Sequence, residues 1–300
     1  MPEALDWARD GPHWPHHAAS RFIDVAGLHW HVQRFAAGSG GPAPLALLIH
    51  GTGASSHSWR ALAPLLAARF DVLAFDLPGH GFTRAPLAQD MSLPGMCASI
   101  TALLAAGHDR PALVIGHSAG AAIAARLCLD RQVAPAALVS INGALLPLHG
   151  LAGRVFSPLA RVLAAQPLVP RFFAWRASRP EVLRRLLDST GSRLDAEGER
   201  LYGRLVADAG HAAGALRMMA SWDLQPLAQA LPKMSMPLHL LAGAQDRTVR
   251  PAQSQAVQAL VPGASFALLP GLGHLAHEED PAAVLAAMAA ARSAALSTRD

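Results

Sequence analysis

Five short runs of nearly unbroken apolar residues recur along the chain, at Leu45 to Ile49, Val72 to Phe75, Ala112 to Ile115, Ala137 to Ile141 and Leu238 to Leu241. Runs of this length without polar alternation are what parallel strands covered on both faces require. The stretches between them, His57 to Arg69 and Leu93 to Ala106 among them, are amphipathic and long enough for crossover helices. The order strand, helix, strand predicts an α/β fold on a mostly parallel, doubly wound sheet. Ahead of it, Phe22 to Phe35 breaks at Gly27 and alternates afterwards, as an antiparallel N-terminal hairpin at the sheet's edge would.

The alternation stops after Asn142. From about residue 149 to 222 the apolar positions fall at helical spacing, with Phe156, Leu159 and Leu163 in one group and Val182, Leu183, Leu186 and Leu187 in another. Strand signals then resume at Leu238. The simplest organisation is an N-terminal arm over 1–20, a core over 21–148, a helical lid over 149–222 and the rest of the core over 223–300. The lid would lie over the carboxyl ends of the strands, where open α/β sheets bind ligands. An alanine-rich helix over Pro281 to Leu296 closes the chain.

Composition narrows the classes. With 52% hydrophobic and 15% charged residues the chain can bury one large core and gives no case for disorder. A mean hydropathy of +0.25 is high, yet charge, proline or glycine interrupts each apolar run before the ~18 residues of a spanning helix. Residues 1–20 contain no apolar segment of the secretory type, so a cytoplasmic location is expected, and the arm, with His13, His16 and His17, reads as polar and solvated. Cys97 and Cys128 are spaced for neither a zinc site nor a disulfide framework; they read as core thiols, and no metal or cofactor is expected. The formal charge of +4 is regional: 149–222 alone holds 11 arginines against six acidic residues.

The candidate chemistry centres on Gly116-His117-Ser118-Ala119-Gly120, which follows one apolar run and opens a helical one. A sharp strand-to-helix turn exposes the serine hydroxyl, and the flanking glycines remove Cβ atoms that would collide with neighbouring backbone. A serine is a poor nucleophile at neutral pH, so a base and a carboxylate to orient that base are needed. Asp246 and His274 stand after later strands, in the chain order this architecture uses. Asn142 occupies the other loop from which an acid could reach, but a neutral amide would orient a histidine without stabilising its cation. His277 reads as a packing residue or lid contact. For the oxyanion the expected donors are the backbone N–H of Ala119 and that of Thr52 or Gly53 in His50-Gly-Thr-Gly53. His50, His117 and Asn142 join the expected substrate contacts.

A rival motif, Gly51-x-Gly53-x-x-Ser56 with Asp76 about twenty residues on, approaches a dinucleotide fingerprint. Its third glycine is missing, it leaves Ser118, Asp246 and His274 unexplained, and Asp76-Leu-Pro-Gly-His-Gly81 reads better as a shaped loop beside the site. Nucleic acid is not an expected partner.

Together, His50-Gly-Thr-Gly53, Asp76 to Gly81, Gly116 to Gly120, Gly243-Ala-Gln-Asp246 and Gly273-His274 resemble the α/β-hydrolase superfamily across nearly the whole chain. Asp10-Gly-Pro-His-Trp-Pro-His16, Trp30-His-Val-Gln33, Thr52 to Trp59, Asn142-Gly-Ala-Leu-Leu146 and Ala220-Ser-Trp-Asp223 are similar, within it, to BchO-type magnesium-chelatase accessory proteins of bacteriochlorophyll gene clusters. That resemblance implies a role near magnesium insertion into protoporphyrin. The partners it implies are a small-molecule substrate such as protoporphyrin or a magnesium porphyrin ester, and chelatase subunits. It names a pathway and no reaction, so a serine hydrolase and a non-catalytic porphyrin-binding or chelatase accessory protein both stand. Phe156, Phe172, Trp175, Arg154 and Arg161 of the expected lid would suit an apolar ring system bearing carboxylates. Solvated arginines over a buried stripe, and peripheral contact of the basic lid with an anionic membrane, are the other readings of the same helices.

Overall fold

The computed structural model describes residues 4–38, 40–147 and 168–297. Eight strands form one sheet in the order β1-β2-β4-β3-β5-β6-β7-β8. They are β1 (Ser20–Val25), β2 (Leu28–Phe35), β3 (Leu45–Ile49), β4 (Asp71–Phe75), β5 (Pro111–His117), β6 (Ala137–Ile141), β7 (Leu238–Gly243) and β8 (Ser265–Leu269). β2 pairs antiparallel with β1 and β4, and every other pairing is parallel. The hairpin turn at Ala26 and Gly27 has φ of 52° and 77°, the left-handed pair that matches the twist of its strands.

Both faces of the central strands are covered, which is why their sequence does not alternate. From β3, Leu47 and Ile49 enter one core with Trp30, Phe75, Met96 and Ile100, while Ala46 and Leu48 enter another with Trp59, Leu62 and Ile141. Each of the leucine, isoleucine, phenylalanine and methionine side chains removed from water contributes about 1.5–3 kcal/mol. Helices α1 (Leu62–Leu66), α2 (Leu93–Gly107) and α3 (Ala119–Leu129) follow β3, β4 and β5. The helix expected over His57 to Arg69 is mostly replaced by a 3₁₀ turn, Ser56–Trp59, and the short α1. Serine chemistry accounts for the difference: the Ser56 N–H donates to Asp76 Oδ1 at 2.7 Å and the Ser58 hydroxyl to the Ser55 carbonyl at 3.0 Å, so the backbone is held by side chains instead of by a helical ladder.

Between β6 and β7 lie α4 (Leu168–Ala177), α5 (Pro180–Ser189), α6 (Ala196–Val206), α7 (Ala209–Ala220) and α8 (Gln225–Ala230). The fold finishes with α9 (Pro251–Leu260), β8 and α10 (Pro281–Ser297). Among the described residues no helix is long and apolar enough to cross a membrane.

The inserted helices are fastened to the sheet by a few polar links. The buried Glu278 accepts from the Tyr202 hydroxyl at 2.8 Å and pairs with Arg60, which also reaches Asp195 at 2.9 Å. The N-terminal residues are only in part the solvated arm their polarity predicts: His13, His16 and His17 are exposed. Leu5 and Trp14 are buried with Phe82, Leu201 and Leu205, and Asp10 accepts from Arg204 at 2.8 Å. Two isolated apolar residues suffice to seat the segment because α6 supplies both a greasy face and a cation. Cys97 and Cys128 are buried free thiols, and burial pushes each up to about 12.

Candidate active site

β5 runs straight into α3, and Ser118 takes the turn at φ 51° and ψ −119°. For a residue with a Cβ such backbone costs on the order of 1–3 kcal/mol and persists only when its surroundings dictate it. Here they do. The Ser118 N–H donates to the Ile141 carbonyl at 3.1 Å, and the Ser118 carbonyl accepts from Ala121 and Ala144 at 3.1 and 3.0 Å. A Cβ on Gly120 would stand 2.1 Å from the Ile49 carbonyl oxygen, and one on Gly116 would stand 2.5 Å from the Ala121 Cα. The two glycines are therefore the condition for β3, β5 and α3 meeting this closely.

Asp246 follows β7 and is buried. Its Oδ1 accepts from the Thr248 and Val249 N–H groups at 2.7 and 2.9 Å, and its Oδ2 accepts from Asn142 Nδ2 at 2.6 Å and His274 Nδ1 at 2.8 Å. Four donors converge on one carboxylate, which fixes the tautomer of His274, with the proton on Nδ1 and Nε2 as the acceptor nitrogen. The His274 loop is anchored three times: its N–H donates to the Thr190 carbonyl at 3.3 Å, its carbonyl accepts from His117 Nε2 at 2.8 Å, and the next N–H, of Leu275, donates to the Ser192 hydroxyl at 2.7 Å.

Ser118 and His274 open onto one cavity of about 710 Å³, within the range of small-molecule sites, and Thr52, Gly53 and Ala119 line it as well. Ala119 is the first residue of α3, so its N–H has no acceptor within the helix. Gly51 to Ala54 form a turn closed by the Ala54 N–H on the Gly51 carbonyl at 3.2 Å, with Gly53 at φ 78°, a conformation that glycine adopts without strain.

The other expected contacts divide. His117 lines the cavity. His50 does not: it is buried behind the loop, donating from Nδ1 to the Gly51 carbonyl at 2.8 Å and accepting the Leu77 N–H on Nε2 at 2.9 Å. It is a brace for two loops, and burial lowers its pKa. Asn142 is also buried and orients Asp246. Phe172 and Trp175 point away from the cavity, 63% and 45% exposed, and their neighbour Phe173 lines it. Phe156, Arg154 and Arg161 lie outside the described residues. Asp76 is a structural anion: against burial, which acts to raise it, the neighbouring His31, with His50 and the Ser56 N–H, holds its carboxyl well below the usual range. Among the described residues, no group of three or more His, Cys, Asp or Glu is placed to hold a metal ion.

Sequence reasoning passed over Tyr202, His211 and Trp222, all of which line the cavity. A histidine in the small-residue run Ala209-Gly-His-Ala-Ala-Gly214 was the available signal for His211.

Residues 44–281 match the family model described as alpha/beta hydrolase fold. The chain is 42% identical over 269 residues to a protein of Rhodobacter capsulatus named magnesium-chelatase 30 kDa subunit, covering 88% of this chain and 91% of that one. It is 28% identical over 249 residues to a putative carbamate hydrolase of Shigella flexneri, covering 80% and 87%. Among solved structures, a putative lipase of Acinetobacter baumannii superposes with a TM-score of 0.74 at 18% identity, over 96% of this chain and 95% of that one, a likeness of fold.

Proposed function

Because the chain belongs to the α/β-hydrolase fold family, close to that Rhodobacter capsulatus subunit, we propose that it is a serine hydrolase cleaving an ester-type bond. Ser118 attacks the carbonyl carbon while His274 Nε2 takes the hydroxyl proton. Asp246 stabilises the imidazolium that results, and the N–H groups of Ala119 and of Thr52 or Gly53 hold the oxyanion. The imidazolium then gives its proton to the leaving oxygen, and water repeats the sequence on the acyl-enzyme. The observation that carries this reading is the saturated Asp246 carboxylate 2.8 Å from His274 Nδ1, on the same cavity as the strained Ser118. Phe173, Leu187, Val206, Leu216, Met219 and Trp222 make that cavity mostly apolar, which favours an ester with a large apolar body.

The name of the Rhodobacter capsulatus relative supports a place beside magnesium chelation with chelatase subunits as partners, and the motif resemblance supports bacteriochlorophyll synthesis in the cytoplasm with a tetrapyrrole ester as substrate. On α4 the exposed Phe172 and Trp175, with Arg179 stacked 4.6 Å from the Trp175 ring, support peripheral contact with an anionic membrane. A fluorophosphonate should label Ser118 in the purified protein and leave a Ser118→Ala variant unlabelled; absence of label on folded protein would sink the hydrolase reading.

The same relative's name favours a second reading, a porphyrin-binding or chelatase accessory protein whose serine is idle. Rescue of a deletion strain by Ser118→Ala, with saturable protoporphyrin binding below ~100 μM, would select it. A pull-down with chelatase subunits tests the partner in either case.

A further inference from the structure

His211 stands outside the Ser118, Asp246 and His274 set and touches both loops that frame it. It lies in the first turn of α7, where the carboxylate of Asp208 accepts its backbone N–H at 2.5 Å. Its ring is buried. The Gly81 N–H donates to Nδ1 at 3.0 Å, so the ring proton sits on Nε2, and Nε2 donates to the Gly53 carbonyl at 3.1 Å. Only neutral imidazole can accept and donate at once, and burial keeps it neutral by lowering its pKa to about 4.

The Gly53 carbonyl belongs to the turn whose N–H groups are assigned to the oxyanion. Helix α7 is seated on the neighbouring loop without play, because a Cβ on Gly214 would stand 1.9 Å from the Gly79 carbonyl oxygen. One face of α7, at Ala212, Ala215, Leu216 and Met219, forms wall of the cavity. Residues that touch the body of a bound substrate and the residue that grips the oxyanion turn are thus carried by a single short helix.

We propose that His211 is a positioning residue for the oxyanion turn, through which the seating of α7 sets the rate of acyl transfer as well as the choice of substrate. This rests on the serine-hydrolase reading. Small displacements of a preorganised donor cost on the order of 10²-fold in rate, so His211→Ala should lower the maximal rate of Ser118 phosphonylation by about 10- to 100-fold. The fluorophosphonate concentration giving half that rate should stay within about threefold, since the grip acts on the developing oxyanion more than on the bound reagent. His211→Gln offers an amide oxygen to Gly81 and an amide N–H to Gly53, and should recover most of the loss. His211→Met fills the volume without a donor, and replaces the alanine variant if that one fails to fold; thermal melts report which variants are folded.

Wild-type protein that takes no label overturns the hydrolase reading and this proposal together. Labelled wild type with a folded His211→Ala or His211→Met variant within twofold of it overturns the proposal alone. So does a folded His211→Gln variant as slow as the alanine one, because the hydrogen bonds would then not be the cause.

Discussion

The sheet's carboxyl edge and the helices inserted above it are built by different means. At the edge, geometry is imposed by backbone: Ser118 is held by Ile141, Ala121 and Ala144, and Asp246 by two consecutive N–H groups. The insertion is tied down largely through side chains, Tyr202 and Asp195 to the Glu278 and Arg60 pair and His211 to Gly53, with the Thr190 carbonyl adding a backbone link to the His274 N–H. Backbone contacts tolerate most changes of residue type, Gly116 and Gly120 excepted, whereas side-chain contacts do not. The difference teaches where each property is stored: the placing of the serine, histidine and acid at the edge, and the shape of the pocket, together with the grip on the oxyanion turn, in the helices above it.

The largest effect that can break this contrast is at the edge. Asp246→Asn should lower the Ser118 labelling rate by about 10⁴-fold, since an amide gives the imidazolium no counter-charge and lets His274 take the wrong tautomer. A loss under tenfold would mean that the edge is not where the chemistry resides. Next, Leu47→Ala empties a site packed on both sides by the sheet and should cost about 2–5 kcal/mol in urea unfolding.

The Glu278 fastening gives a smaller, pH-dependent signal. Burial raises its carboxyl to about 7 from the ordinary 4.5, against the opposing pull of Arg60 and the Tyr202 hydroxyl. A carboxyl whose folded pKa is raised favours the fold while it is protonated in both states. Its contribution is therefore complete below 4.5 and is lost as pH climbs through 7. Unfolding free energies should fall by on the order of 1–3 kcal/mol between pH 4.5 and 7.5, and Glu278→Gln should flatten that interval. Equal slopes in the two proteins would remove Glu278 from the account. The smallest effect sharpens the contrast from the outside: Phe172→Ser with Trp175→Ser should shift stability by no more than about 0.5 kcal/mol each and leave labelling unchanged. A large shift would show that α4 is packed more deeply than its exposure indicates.

Much of the fold was legible because burial on two faces leaves an unambiguous trace. The runs at Leu45 to Ile49 and Ala137 to Ile141 coincide with β3 and β6. The elbow was legible for a related reason, since only glycine fits at 116 and 120. What could not be read depends on direction. In Arg171-Phe-Phe-Ala-Trp175 the apolar residues occupy every side of the helix, so periodicity cannot say that Phe173 turns inward while Phe172 does not. His50 looked like a site residue from its place beside Gly51, but the Leu77 N–H needed an acceptor and took it. Leu5 and Trp14 carry no period at all, and their burial follows from α6, far away in sequence.

The bond from Asn142 to Asp246 bears on ancestry. Chains of this architecture have two strand ends from which a carboxylate can serve the histidine, and here an amide fills one of them, 2.6 Å from the acid at the other. A lineage moving its acid from β7 to β6 by way of Asn142→Asp would pass through two carboxylates sharing a single proton, each spoiling the other as a counter-charge. The reverse order, losing Asp246 first, strands His274 with a neutral partner. Both routes cross a valley of poor function, so a 2.6 Å hydrogen bond that merely tidies the site today also entrenches it, and the acid's address becomes a historical commitment.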